Sequence, residues 1–253
     1  RLMEILTPSS DRVEPKCAYH KQCGGCQIQA LSYDKQMEYK KKKVLNNLTR
    51  IGGLTELPGF DLIGMDEPYC YRNKAQFPFG TDKNGEIVTG FYAGRTHSII
   101  SNTKCYLGVE ENEQILEIIL AHLKKYNIPA YDEQTGKGLL RHVLIRKGFT
   151  TGELMVCLIL NGTRMPEVKE LVAELVKIPG MTSITINVNT KQTNVIMGQE
   201  MRSVWGQDYI TDYIGNVKYQ ISPLSFFQVN PVQTRKLYEC ALEYAEVESG
   251  ETV

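Results

Sequence analysis

The residues that decide the fold read LLRHVLIRKGFTTGELMVCLIL, from Leu139 to Leu160. Two runs rich in branched apolar residues, 139–147 and 154–160, flank a short polar stretch with two glycines. This arrangement predicts a pair of β-strands joined by a turn. Cys157 lies inside the second run, where cysteine ordinarily serves as a small apolar residue.

The segments on both sides predict a mixture of helices and strands. Apolar residues from Val168 to Val176 recur at i, i+3, i+4, i+7 and i+8, which marks one face of a helix. Further helices are predicted over 33–50, 109–126 and 231–246, the first capped by Ser32 and the last by Asn230. Short strands are predicted at 71–77, 87–92, 184–188, 193–197 and 219–223. The fold class is therefore α+β, with a mixed or antiparallel sheet in a central domain and flanking helices.

Composition excludes several classes of protein. Of 253 residues, 42% are apolar and 23% are charged, which is ordinary for a globular chain and excludes disordered and fibrous proteins. No apolar run approaches the roughly 20 residues that cross a bilayer. The amino end lacks the apolar core of a signal peptide. We therefore expect a cytoplasmic protein that does not bind a membrane.

Three of the seven cysteines form the motif Cys17-x5-Cys23-Gly-Gly-Cys26. Clustered thiolates hold zinc or an iron–sulfur cluster, and both usually need a fourth ligand. The spacing favours a cluster over zinc, while reduced surface thiols are the third possibility. Cys105 is the best candidate for the fourth ligand because it follows a β-like segment among polar loop residues. His20 is an alternative ligand if the metal is zinc.

A basic excess is hidden by the balanced charge of the whole chain, which has 29 basic and 29 acidic residues. Residues 1–50 contain ten Lys or Arg and five Asp or Glu, and one predicted helix carries Lys40, Lys41, Lys42 and Lys43. Further on, Arg72, Lys74 and Arg95 alternate with aromatic residues such as Phe77 and Tyr92. These residues are candidate RNA contacts. The alternatives are a solvated helix face and the ordinary alternation of a half-exposed sheet.

Three motifs, taken in order, resemble those of a known enzyme family. The first is the cysteine motif followed by LSYDKQ at 31–36. The second joins LRHVLIR at 140–146 to Asn187-x-Asn189-x3-TNVI at 193–196. The third and most specific is ISP-x-SFFQVNP at 221–231. Together they resemble the S-adenosylmethionine (SAM)-dependent RNA uracil-5-methyltransferases, specifically the iron–sulfur branch that modifies bacterial 23S ribosomal RNA, over essentially the whole chain.

The resemblance implies four segments. Residues 1–13 would be the last strand of an amino-terminal OB-like (TRAM) domain, and 14–55 the iron–sulfur loop with the basic helix. Residues 56–225 would form the central α/β RNA-binding domain. Residues 226–253 would begin a Rossmann-like SAM domain whose remainder is missing. We therefore expect a central fragment of a longer enzyme.

The resemblance also implies site residues and cofactors. A [4Fe–4S] cluster would be held by Cys17, Cys23, Cys26 and Cys105, and Gln228 would belong to the SAM site. The Gly-rich SAM loop, the catalytic cysteine and the general base of the family have no counterpart here. The chain alone is therefore expected to be inactive.

The implied reaction transfers a methyl group from SAM to carbon 5 of a uridine in 23S ribosomal RNA. A cysteine thiolate adds to carbon 6, the resulting enolate takes the methyl group, and a base removes the proton on carbon 5. The target base must leave its stack for this chemistry. We expect a monomer with ribosomal RNA as its partner. The alternative is a cysteine–metal module that binds RNA and performs no chemistry.

Overall fold

The computed structural model describes residues 3–248, 250 and 251. The α-helices are α1 (Tyr33–Asn46), α2 (Glu111–Lys125), α3 (Val168–Leu175) and α4 (Pro231–Ala245), and a π-helical turn, Asn47–Ile51, continues α1. The strands are β1 (Lys74–Thr81), β2 (Ile87–Tyr92), β3 (Ile99–Ser101), β4 (Leu140–Lys147), β5 (Leu154–Leu160), β6 (Met181–Val188), β7 (Glu200–Gly206), β8 (Ile210–Ile214) and β9 (Val217–Ile221).

Seven strands form one sheet in the order β3-β2-β1-β4-β5-β6-β7. All neighbours are antiparallel except β5 and β6, which are parallel because α3 crosses over between them. The strands β8 and β9 form a separate antiparallel hairpin. The fold is therefore a mixed sheet with flanking helices, as the apolar pattern predicts.

The central strand β5 is buried along its whole length and separates two apolar cores. Leu154, Val156, Leu158 and Leu160 join the core that contains residues of α2 and α3. The alternate residues join a second core on the opposite face, with Ile210, Ile221 and Phe227; they are Met155, Cys157 and Ile159. The sheet is thus covered by helices on one face and, on the other, by the β8–β9 hairpin and the segment that precedes α4.

The predicted strand at 193–197 is wrong, because this stretch is a loop whose carbonyls bond to side chains. Asn189 Nδ2 donates to the carbonyls of Val195 at 2.7 Å and Ile196 at 2.9 Å. Arg141 Nη2 donates to Thr193 O at 3.5 Å. These bonds replace the ladder that a strand would need.

The sequence pattern also missed two strands, β7 and β8. At the amino end, residues 3–13 contain no strand, only a bridge between Arg12 and Leu31, while residues 1 and 2 lie outside the described part. Among the described helices, none is long and apolar enough to cross a membrane.

Candidate functional site

The structure brings the four predicted cysteines to one cavity of about 370 Å³. Cys17, Cys23 and Cys26 come from the loop that precedes α1, and Cys105 comes from the loop after β3. His20 and Arg72 also line this cavity, which we call the cysteine cavity. Cys105 thus lines the same cavity as the three cysteines of the amino-terminal motif.

The cysteine loop lies against the end of β2 through a close backbone contact. Gly24 N donates to Tyr92 O at 2.9 Å, and Gly94 N donates to Gln22 O at 3.2 Å. A Cβ atom at Gly24 would lie 3.2 Å from both Tyr92 O and Gly94 Cα, so a side chain there would push the loop away. Gly24 is therefore needed for close packing of the loop.

Gln29 fixes two of the cysteines and was not signalled by the sequence pattern. Its Oε1 accepts a hydrogen bond from Cys17 N at 3.0 Å, and its Nε2 lies 3.8 Å from Cys26 Sγ as a donor. Gly25 N donates to Cys23 Sγ at 3.4 Å. Such bonds to sulfur orient thiolate ligands and tune the group that they hold.

The electrostatics of the cysteine cavity disfavour bare thiolates. Burial, together with the neighbouring Cys105, Cys23 and Cys17, raises the pKa of Cys26 to about 11, and only Arg72 opposes this. Burial also raises the pKa of Cys105. A bound cation would offset this repulsion and deprotonate the thiols. The donor set therefore fits a thiolate-held metal group.

No three described His, Cys, Asp or Glu side chains lie close enough together to hold a single metal ion. The remaining cysteines lie elsewhere: Cys157 is in the second core, where burial raises its pKa to about 11. Cys240 is on α4, and Cys70 is exposed beside the segment that enters β1. His20 Nδ1 lies 3.2 Å from Cys17 O.

The four candidate lysines all lie on α1. Lys40, Lys42 and Lys43 are exposed and form no ion pair within the described residues. Lys41 lies 3.9 Å from Asp61 Oδ1 and 5.4 Å from the centre of the Phe60 ring. Three lysines without an ion pair among the described residues thus face solvent on about one turn of α1, the helix that follows the cysteine loop.

The candidate contacts on the sheet separate into two groups. Lys74 begins β1 and Arg72 lies two residues before it; burial and the charges of Arg146 and Arg72 lower the pKa of Lys74. Arg95 is exposed, in a turn with φ of 64°. Phe77 is fully buried and packs on Phe91, so it belongs to the core and does not stack on bases.

Gln228 lies in a segment that the rest of the fold holds by its backbone. Asn73 Nδ2 donates to Gln228 O at 2.9 Å, while the Gln228 side chain makes no hydrogen bond to the described residues. Asn230 caps α4 by accepting from Gln233 N at 3.1 Å, and Ser225 Oγ lies 2.8 Å from Ser222 Oγ. Asn230 and Ser225 therefore shape the turn and leave the Gln228 amide without a partner among the described residues.

Arg146 is a second residue that the sequence pattern did not single out. It is 2% exposed, and its Nη2 donates to Ser225 O. Its Nε and Nη1 have no partner among the described residues, and burial lowers its pKa to about 10. A buried guanidinium thus supports the turn that leads to Gln228.

No protein-family model matches the chain. A protein of Clostridium tetani named as an uncharacterized RNA methyltransferase is 44% identical over 254 residues, which is 100% of this chain and 55% of the relative. A relative of the same description from Clostridium acetobutylicum is 46% identical over 256 residues, with the same coverage.

Among solved structures, a tRNA (uracil-54, C5)-methyltransferase of Pyrococcus abyssi, bound to S-adenosyl-L-homocysteine, matches with a TM-score of 0.75 and 25% identity. The match covers 98% of this chain and 54% of that enzyme. The chain spans about half the length of the curated relatives it matches. Over its whole length, it is thus similar to about half of an RNA methyltransferase.

Proposed function

We propose that the chain is part of an enzyme that transfers a methyl group from SAM to carbon 5 of a uridine in 23S ribosomal RNA, and that it holds a [4Fe–4S] cluster. The observation that carries this proposal is the meeting of Cys105 with Cys17, Cys23 and Cys26 around one cavity. The similarity of the whole chain to RNA methyltransferases supports the reaction type.

The cysteine cavity suits a cluster of several atoms. Its volume of about 370 Å³ exceeds the space that a single ion needs, and all four protein ligands are thiols, the usual ligands of such clusters. Cys17, Cys23, Cys26 and Cys105 would hold the cluster, which would neutralise their mutual repulsion and join the amino-terminal loop to the sheet. We assign it a structural role, because methyl transfer requires no electron transfer.

The residues of this chain would bind and orient the reactants. The Gln228 side chain offers a free donor and a free acceptor beside the turn at 222–225, which fits a contact with bound SAM. SAM supplies the electrophilic methyl group. We place the nucleophilic cysteine, the general base and most of the SAM site in the remaining half of the whole protein.

The RNA would be bound by the exposed lysines Lys40, Lys42 and Lys43, together with Lys41 and the cations of the sheet, Arg72, Lys74 and Arg95. Phosphate contacts of this kind make affinity depend on salt, since binding releases counterions. Arg72 lines the cysteine cavity, so the cluster would lie next to the RNA-binding face.

Replacing Lys40, Lys42 and Lys43 by Ala should weaken RNA binding and reduce the slope of log affinity against log salt by about 2, since each contact with a single strand contributes about 0.7. A matched variant that removes the exposed lysines Lys83, Lys169 and Lys218 should keep the wild-type slope. Fluorescence anisotropy with an RNA oligonucleotide at several salt concentrations measures both. Equal slopes in the two variants would show that the lysines of α1 do not contact the RNA.

The reaction is tested with the whole protein, labelled SAM, and unmodified 23S ribosomal RNA and tRNA transcripts. Nuclease digestion and mass spectrometry then identify the methylated nucleoside and its position. We expect 5-methyluridine in 23S ribosomal RNA. Methylation of tRNA alone would contradict the ribosomal target and would show that the substrate is tRNA, the substrate named for the Pyrococcus abyssi enzyme. Binding of RNA without methyl transfer would favour the cysteine–metal binding module instead.

A further inference from the structure

A short segment, Cys70 to Asn73, which we call the strap, runs between the cysteine cavity and the segment that carries Gln228. At its start, Cys70 N donates to Tyr106 O at 2.8 Å and Arg72 N donates to Leu107 O at 2.9 Å. Tyr106 and Leu107 directly follow Cys105 and line the same cavity. The strap is thus hydrogen-bonded to the loop that brings in the fourth cysteine.

At its end, the strap is bonded to the Gln228 segment through one residue. Asn73 N donates to Val229 O, and Asn73 Nδ2 donates to Gln228 O, both at 2.9 Å. The Asn73 carbonyl accepts from Lys147 N at 2.9 Å, which fixes it to the end of β4. Asn73 is 3% exposed, so water does not replace these bonds when they break.

We propose that the strap couples the two sites, so that a cluster in the cysteine cavity holds Gln228 in place, with Asn73 as the positioning residue. This inference rests on the proposed function, because it requires that the cavity holds a cluster and that Gln228 contacts SAM. Arg72 N bonds to the carbonyl of Leu107, which only Tyr106 separates from Cys105, and Asn73 directly follows Arg72. A displacement of the Cys105 loop therefore reaches the Gln228 carbonyl through the bond from Arg72 N to Leu107 O, the backbone of 72–73 and the bonds of the buried Asn73.

Hydrogen–deuterium exchange tests the coupling without reference to activity. Four forms of the chain are compared: wild type, Asn73→Ala, Cys105→Ala and the double variant. Peptides covering 70–76 and 229–236 report on the strap and on the cap of α4, while a peptide from β5 reports on the core. Asn161→Ala is the matched control, because Asn161 Nδ2 also donates to two backbone carbonyls, those of Gly136 and Gly138, far from the strap in sequence.

We expect each single variant to raise exchange at 70–76 and 229–236 about tenfold, as for the loss of one buried hydrogen bond. The double variant should exchange little faster than Asn73→Ala alone, since the loss of the cluster then acts without the side-chain bond to Gln228 O and only through the backbone bond to Val229 O. The β5 peptide should stay protected in all four forms, and Asn161→Ala should leave 229–236 unchanged. In wild type, removing the iron with a chelator and a mild oxidant should reproduce the Cys105→Ala result.

Two results overturn the coupling. One is unchanged exchange at 229–236 after the loss of the cluster, and the other is an effect in the double variant equal to the product of the single effects. If Cys105→Ala raises exchange in the β5 peptide, that variant has lost part of its core. The wild-type chain with its iron removed is then judged by the same two criteria. A chain purified without iron would contradict the proposal that the cavity holds a cluster. A chain that contains iron, but whose 229–236 peptide exchanges at the same rate after the iron is removed, would contradict the coupling alone.

Discussion

A Cys105→Ala chain purified without oxygen should lose its visible absorption band and most of its iron. Of the four proposed ligands, Cys105 comes from outside the amino-terminal loop, and its own loop lies after β3. Its removal leaves three thiols on one loop, which keeps its backbone bonds to the end of β2 but loses the link that the proposed cluster would make to the Cys105 loop. The cluster would then be open to solvent on one side and easily lost.

Cys240→Ala is the matched control, because Cys240 lies on α4 and does not line the cysteine cavity. It should keep the wild-type iron content and spectrum. Far-ultraviolet circular dichroism checks that both variants retain the fold. Full retention of iron by a folded Cys105→Ala chain would show that another residue completes the site, and His20, which also lines the cavity, would then be the next ligand to test.

The second large effect is on stability in acid, and it comes from His142. Burial, reinforced by the charge of Arg141, lowers the pKa of His142 from 6.5 to about 4, although Glu133 opposes the shift. Its Nε2 lies 3.4 Å from the Tyr92 hydroxyl, and its Nδ1 has no partner among the described residues. The fold therefore holds this imidazole in its neutral form.

The unfolded chain binds a proton at His142 near pH 6.5, whereas the folded chain does so only near pH 4. Stability is therefore lost as the pH falls from 6.5 toward 4, by about 2–3 kcal/mol at pH 4.5 from this group alone. A His142→Gln chain should lose that much less free energy of unfolding between pH 7.5 and pH 4.5 than wild type. Urea unfolding at the two pH values measures the difference, and equal losses in both chains would contradict it.

Much of the fold follows from local apolar patterns in the sequence. The run at 154–160 is buried on both faces and is β5, and the stripe that starts at Val168 is α3. The cap at Asn230 begins α4 as predicted. These elements could be predicted because each one has an apolar face, or a capping residue, that depends on its own sequence.

The failures occur where tertiary contacts decide the structure. The stretch 193–197 has the branched residues of a strand, but Asn189 and Arg141 take its carbonyls. The strand β7 is largely exposed at the edge of the sheet and carries a weak apolar pattern. The local sequence does not show which distant residues will bond to a segment, or that a strand will lie at the edge of the sheet.

The site divides in the same way. The spacing of Cys17, Cys23 and Cys26 predicts a thiolate site, and the polar surroundings of Cys105 favour it as the fourth ligand. Asn73 and Arg146 carry no sequence signal for their roles, since their partners lie about 80 residues or more away along the chain. Only the fold shows that they hold the segment of Gln228.

The iron and acid-labile sulfide content of the anaerobically purified chain tests directly whether the cysteine cavity holds a cluster. We expect about four of each per chain, with a broad visible absorption band. One zinc per chain without iron or sulfide would contradict it and would favour a cysteine–metal module that binds RNA.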